Sequence, residues 1–423
     1  MSPPPKDARP TRRGAIAGAL ACAALPGSSP GACAAPEPIA LRRGVNLWPW
    51  FALTREYPPP RTDYGWPAFQ PERPVPRRQD LARLAASGLD FVRLPVDPGP
   101  FLAFTDRQRD ALFAELDGAV DAILGAGLSL VLNVHANGAT HHYNPAALYG
   151  SARAPLWPDY RAFVAALAAR FGRRGRVALE PVNEPPQGCG AADWDALQRD
   201  LLAAARAASS GLTLVATGAC GSMVPGLLAL DPKRLAAFAP LLYDVHFYEP
   251  YLFSHQGAPW MREPVYRALN AVPWPGSAGR LDETLAAVRA RMAADTGRSR
   301  AEKEAAYRIT EAKMAEYFAA NPDRRFLDRY LSAVRGWADT HGLPPGRILM
   351  GEFGALRSDA RYVAAKAADR ARYVRDVRES AESFGFAWAF WNLFDGMGLI
   401  DDTTRAPDAA IFTALGLRVP SPR

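Results

Sequence analysis

Three observations predict an α/β fold of the (β/α)8, or TIM-barrel, class. Eight short apolar runs recur along the chain, most are followed by a longer stretch of helical periodicity, and nearly every run ends on a polar or ionisable residue. Strands alternating with helices imply a parallel sheet. Spacings of roughly 30–50 residues fit one strand, one helix and two loops. Eight regular repeats suit a closed barrel better than an open doubly wound sheet.

The first run, RGVNLW, begins at Arg43 and leads into Trp48, Trp50 and Phe51. The second, DFVRLPV from Asp90, precedes a helix predicted over Asp106–Ala126, whose stripe is Leu112, Phe113, Leu116, Ala119, Val120 and Ile123. The third, SLVLNVH from Ser129, is followed by a helix over Asp159–Phe171, and the fourth, RVALEPVNEP from Arg176, by one over Asp193–Ala208. The fifth is LTLVATG from Leu212 and the sixth LYDVHFY from Leu242. The connection after Tyr248 is far longer than the others, with helical patterns at Leu281–Ala293, Arg300–Phe318 and Asp323–His341. The last of these is expected to be the barrel helix, leaving a helical insertion at about residues 254–322 on the loop after the sixth strand. RILMGEFG from Arg347, a helix over Asp359–Phe384 and FAWAFWN from Phe386 complete the pattern.

Composition narrows the function classes. Of 423 residues, 49% are hydrophobic and 10% aromatic, which excludes a disordered chain. The net charge of +7 is not gathered into a basic run within the barrel, so no nucleic-acid partner is expected. Residues 1–34 read as a cleaved export signal. Thr11-Arg12-Arg13-Gly14 resembles a twin-arginine motif, Ala15–Leu25 is a short uncharged apolar region, and Ala32-Cys33-Ala34 offers a cleavage site. An ordinary secretory signal is the alternative, and a lipoprotein site at Cys22 fits poorly because Ala19 stands where Leu is usual. The apolar region is too short to span a bilayer, so no stable membrane insertion is expected, and the product is periplasmic or secreted. Residues 35–423 are then a single domain, expected as a monomer, which keeps Cys189 and Cys220.

In such barrels the active site lies at the C-terminal strand ends. The residues there are Arg93, His135 with Asn137 beyond it, Asn183, Glu184, His246, Tyr248, Glu352 and Trp391. Two carboxylates among Arg, His, Asn, Tyr and aromatic rings suit glycoside hydrolysis, in which one acid protonates the leaving oxygen and one carboxylate meets positive charge at the sugar carbon. Glu180 is expected to pair inside the barrel, with an arginine. His141-His142 reads as a solvated loop. No H-E-x-x-H or similar spacing supports a metal site, and no cofactor is expected.

Val92-Arg93-Leu94-Pro95, Asn133-Val134-His135, Val182-Asn183-Glu184-Pro185, His246-Phe247-Tyr248, Gly351-Glu352-Phe353-Gly354 and Trp391-Asn392 occur in order on successive strand ends. In this set the chain resembles glycoside hydrolase family 5, from about Leu41 to about Leu417. The resemblance implies Glu184 as general acid/base and Glu352 as nucleophile of a retaining, endo-β-1,4-glucanase-like enzyme acting on a β-linked polysaccharide or oligosaccharide. It further implies that Arg93 and Tyr248 support Glu352, Asn183 binds the sugar 2-hydroxyl, His135 and His246 position the sugar and the carboxylates, and Trp391 stacks on the sugar. An exo-acting relative or one directed at another β-glycan, an exopolysaccharide or a glycolipid, a catalytically silent sugar-binding barrel and a metal-dependent hydrolase are the alternatives. Trp50 is taken as a second sugar platform, and Trp260 is left open. Cys189 and Cys220, just past neighbouring strands, are expected to form a disulfide.

Overall fold

The structure, a computed structural model, describes residues 37–421. The expected export segment, 1–34, lies outside the described residues. Eight strands close into a barrel: β1 (Arg43–Asn46), β2 (Phe91–Val96), β3 (Ser129–Val134), β4 (Val177–Glu180), β5 (Thr213–Thr217), β6 (Leu241–His246), β7 (Ile348–Phe353) and β8 (Ala387–Phe390). Each strand is parallel to its neighbours, with β8 returning to β1.

Alternation along each strand sends every second side chain into the barrel. The lower inward rungs are apolar: Phe91, Val131, Ala178, Val215, Leu242, Leu349 and Ala389 form one buried cluster, closed beneath by Leu41. Gly44 belongs to this floor, because a Cβ there would lie 2.4 Å from Phe91 Cζ. Two residues higher on β2, β4 and β6 stand Arg93, Glu180 and Asp244, all fully buried. The barrel is therefore an apolar plug under a polar layer, and the polar layer opens towards the C-terminal end.

One irregularity aims the seventh strand. Val245 pairs with Met350 but His246 pairs with Glu352, so β7 carries one extra residue at Gly351. A bulge of this kind shifts the alternation by one position. Leu349 faces the barrel floor, and beyond the bulge Glu352 also faces the interior.

The connections hold two departures from the sequence pattern. An antiparallel hairpin, Thr54–Glu56 with Tyr64–Phe69, lies between β1 and β2. The helix expected from Asp359 begins at Ala367. Asp359 Oδ1 instead accepts the backbone N–H groups of Arg361 and Tyr362, a side-chain-capped turn that competes with helix. The insertion after β6 holds helices Leu281–Ala294 and Arg300–Ala320, and Arg324–Thr340 leads into β7 as the barrel helix. The two inserted helices brace the loop that precedes them: Thr284 donates to the Ala271 carbonyl, the Asn270 amide to that of Ala287, and Tyr317 to that of Pro273.

The loops after β4 and β5 are joined by a Cys189–Cys220 disulfide with a Cα–Cα distance of 4.8 Å. Backbone bonds from Cys220 to Gln187 and from Gly221 to Pro185 reinforce the junction. With a sequence separation of 31 between the cysteines, replacing both by serine is expected to lower the unfolding free energy by about 3–4 kcal/mol on the chain-entropy account. A lower urea midpoint in the double variant is the expected result; equal midpoints would contradict it.

Candidate active site

Arg93 organises the polar layer. It is 0% exposed, and each of its guanidinium nitrogens is engaged. Nε and Nη2 donate to the two oxygens of Glu180 at 2.7 and 2.8 Å. Nη1 donates to Glu352 Oε1 at 2.7 Å and to Asn46 Oδ1 at 3.0 Å. Nη2 also donates to Asn183 Oδ1 at 2.7 Å. These contacts use the five donors of a guanidinium. Asn46 relays the order further, its amide donating to the Gly351 carbonyl at 2.9 Å. Burial pushes the Glu180 carboxyl up to about 7 despite the guanidinium.

Glu184 and Glu352 meet above this layer, with His246 between them. His246 Nδ1 lies 2.9 Å from Glu184 Oε1 and 3.6 Å from Glu352 Oε2. A carboxylate oxygen of Glu184 and one of Glu352 lie within 4.8 Å of each other. Tyr248 donates to Glu352 Oε2 at 3.0 Å, and burial beside that carboxylate keeps the phenol protonated. Burial raises the Glu352 carboxyl above its ordinary value, only partly offset by His246 and Arg93. Burial also acts on Glu184, but the hydrogen bond and charge of His246 outweigh it and hold that carboxyl below its ordinary value. The side chain of Glu184 is 46% exposed, which weakens the burial contribution further.

An aromatic wall borders the carboxylates. The ring of Trp391 stacks on His135 at 5.7 Å, and Trp48 approaches His135 at 5.4 Å and Trp391 at 5.6 Å. Burial, then the nearby Arg93 charge, pushes His135 down to about 3. It is therefore a neutral ring, within 3.2 Å of Asn133 Oδ1 and 3.4 Å of the Asn183 amide. The aromatic residue of the first loop that reaches the site is Trp48, and the expectation for Trp50 is corrected. Trp50 is 8% exposed, belongs to the hydrophobic core and stacks on Phe51. Asn137 lies just past β3, but its Oδ1 is occupied by its own turn, accepting the Ala139 N–H at 2.8 Å.

Several neighbours were not singled out by the sequence. Asn46 and Asp244 sit on inward rungs of β1 and β6. His255 and Tyr251 come from the loop after β6: His255 packs edge-on to Tyr248 at 4.9 Å and stacks on Tyr251 at 4.8 Å. Burial pushes His255 down to about 4. Their only sequence signal was a cluster of aromatics following Tyr248. Trp260 is half exposed and meets Tyr362 edge-on at 6.2 Å.

Among the described residues, two trios bring donor atoms close enough for a metal ion, Glu180–Asp244–His246 and Glu184–His246–Glu352. Both include His246, and Arg93 forms ion pairs with Glu180 and Glu352. The positive charge that the carboxylates need is thus supplied by side chains, and the trios read as an ionic network.

Comparisons agree with this geometry. The model of the cellulase family, glycosyl hydrolase family 5, matches residues 61–396. Endoglucanase 3 of Fibrobacter succinogenes is 24% identical over 343 residues, covering 76% of this chain, which spans about half (47%) of that relative. Endoglucanase C of Acetivibrio thermocellus is 25% identical over 261 residues, covering 58% of this chain and 68% of that one. Among solved structures, cellulose synthase subunit Z of Clostridioides difficile superposes with a TM-score of 0.62 at 19% identity, covering 89% of this chain and 99% of that one. Cel5A of Thermotoga maritima, solved with cellobiose, gives 0.61 at 18% identity, covering 89% and 97%. These structural matches speak to the fold.

Removing the central cation tests the network. Arg93→Met leaves Glu180 and Glu352 buried without their partner, at an expected cost of about 3–5 kcal/mol. Without the guanidinium the folded-state carboxyls bind protons more tightly than those of the unfolded chain. The deficit is therefore largest near neutrality and shrinks as pH falls. Urea unfolding of both proteins at pH 7 and pH 5 reads this; a deficit that does not change with pH would contradict it.

Proposed function

Because this chain belongs to glycosyl hydrolase family 5, a family of retaining glycoside hydrolases, we propose that it is an exported endo-β-1,4-glucanase working by double displacement with Glu352 and Glu184. The observation that carries the reading is that an oxygen of Glu184 and an oxygen of Glu352 lie within 4.8 Å of each other, both against His246, a close approach of the kind a retaining pair makes. Retaining glycosidases place their two carboxyl groups about 5 Å apart, whereas inverting ones leave roughly 6.5–9.5 Å for a water.

In the first step the Glu352 carboxylate attacks the anomeric carbon. The glycosidic C–O bond breaks, and the leaving oxygen takes a proton from Glu184. In the second step water attacks the same carbon, Glu184 accepts its proton, and the ester to Glu352 is released. Arg93 and Tyr248 donate to separate oxygens of Glu352, which supports it as an oriented anion. His246 Nδ1 stands 2.9 Å from Glu184 Oε1, a contact along which the acid's proton can be shared. Trp391, His135 and Trp48 supply the flat apolar surface that a pyranose ring covers. Asn183 stands beside the carboxylates, where it can meet the 2-hydroxyl.

The names of the two curated relatives, both endoglucanases, support a glucan as substrate. Export is supported by the arginine pair and apolar stretch within residues 1–34, and by a disulfide that suits an oxidising compartment. Among the described residues, no helix is long and apolar enough to cross a membrane.

The two glutamates separate by rescue chemistry. Glu184→Ala is expected to lower kcat on substrates with poor leaving groups by about 10²–10⁴-fold, with azide restoring turnover and giving a β-glycosyl azide. In Glu352→Ala, azide replaces the nucleophile and gives the α-glycosyl azide; the same anomer from both variants would contradict the assignment. Substrate choice is read on soluble cellulose derivatives, mixed-linkage glucan, mannan and xyloglucan. A fast fall in viscosity with mixed oligosaccharide products on the β-1,4-glucans is expected. Release of one short product at constant viscosity would favour exo action.

A further inference from the structure

His246 is held from both edges of its ring. On one side Nδ1 faces Glu184 at 2.9 Å and Glu352 at 3.6 Å. On the other, Nε2 faces Asp244 Oδ2 at 3.1 Å. Asp244 is fully buried on β6, two residues below His246. Its Oδ1 accepts the Gly351 N–H at 2.8 Å. Its Oδ2 has no aligned hydrogen bond and meets the imidazole as an ion pair.

A neutral imidazole has one N–H and one lone pair. Between two carboxylates the lone pair would have to face an anion, whichever nitrogen carried it. The imidazolium alone sets positive charge against both, as a donor to Glu184 and as an ion pair with Asp244 Oδ2; Arg93 Nη2, 3.4 Å from Nε2, already directs its two N–H groups at Glu180 and Asn183. We propose that Asp244 is a positioning residue of the hydrolysis, holding His246 as an imidazolium between itself and Glu184 and so fixing where the proton used by Glu184 resides. The proposal rests on Glu184 as the proton donor.

The surroundings of the ring favour that state. Asp244 from β6, Glu352 from β7, and Glu180 and Glu184 from β4 and its loop bring four carboxylates. Against them stand Arg93 from β2, with Nη2 3.4 Å from Nε2, and the neutral His135 beyond β3. Burial opposes charge on His246, but Glu352, Asp244 and Glu184 outweigh it and raise the ring's affinity for its proton well above the ordinary value. Gly351 makes the seat possible, since a Cβ there would lie 2.3 Å from Asp244 Oδ1. The residue whose bulge turns Glu352 inward also holds Asp244 beneath His246.

Asp244→Asn keeps the size of the side chain and an acceptor for Gly351. It replaces the anion facing Nε2 with an amide that can donate, so the ring can rest neutral with its lone pair at Nε2 and Nδ1–H towards Glu184. The Glu184–His246 pair then releases its proton at lower pH, because a negative charge that favoured the proton is gone. The alkaline limb of the kcat/KM profile reports that proton, and in Asp244→Asn it is expected to move down by at least about one pH unit. The direct readout is nitrogen-15 NMR of histidine-labelled protein, with His246 assigned by the signals lost in His246→Gln. In the unsubstituted protein both ring nitrogens should be protonated at pH 8, and in Asp244→Asn Nε2 should lose its proton. A neutral His246 in the unsubstituted protein at pH 7, or an unmoved alkaline limb in folded Asp244→Asn, overturns the proposal. Should Asp244→Asn fail to fold, the spectrum of the unsubstituted protein decides alone. Full activity in Glu184→Ala would instead overturn the role of Glu184 and leave the NMR result standing.

Discussion

A fully buried guanidinium with all five donors engaged is the constraint on which the site depends. Taking a cation out of water costs several kcal/mol unless its partners are complete. Arg93 meets that condition with Glu180, Glu352, Asn183 and Asn46. The same bonds fix the strand that carries the candidate nucleophile, the loop that carries the candidate acid, and the strand that closes the barrel. Moving any one of these would leave a buried donor or acceptor unsatisfied, and the low local dielectric makes that expensive. Precision in the cleft is therefore a consequence of charge burial below it.

The charge does not balance locally. Glu180, Glu184, Asp244 and Glu352 face Arg93 and His246, so four carboxyl groups share two cationic side chains. Such a cluster retains protons near neutrality, and geometry decides where they sit. The pairing of Asp244 with His246 from beneath, and of His246 with Glu184 above, places one of them next to the glycosidic oxygen's expected position. The apolar floor around Phe91 keeps water from screening the cluster from below, and the bulge at Gly351 turns Glu352 into it.

Much of this was legible in the sequence because barrel strands alternate strictly and end at the site. The apolar runs gave the eight strands, and the polar residues closing them gave Arg93, Asn183, Glu184, His246, Tyr248 and Glu352 as neighbours. Glu180 read as an internal partner for an arginine, and Arg93 is that partner. What escaped notice depends on features without a period. Asp244 is one polar residue in an apolar run, and its meaning comes from His246 on the rung above it. Trp48 and Trp50 are two residues apart on an irregular loop, where alternation says nothing about direction, and the buried one was favoured. His255 and Tyr251 reach the site through a loop braced by helices distant in sequence, and Asp359 stopped a helix through a local side-chain bond.

The same scaffold separates a fixed part from a variable one. Rungs below the cleft are fixed by burial, while the hairpin after β1 and the long connection after β6 are free to vary. Trp260 of the long connection meets Tyr362 of the loop after β7. The central claim concerns the fixed part: Glu352, oriented by Arg93 and Tyr248, forms a bond to the sugar. Mass spectrometry of protein treated with an activated 2-deoxy-2-fluoro-β-glucoside or cellobioside tests it most directly. The account predicts a stable glycosyl adduct on the peptide containing Glu352. An adduct on any other residue, or turnover with inversion and no adduct, would contradict it.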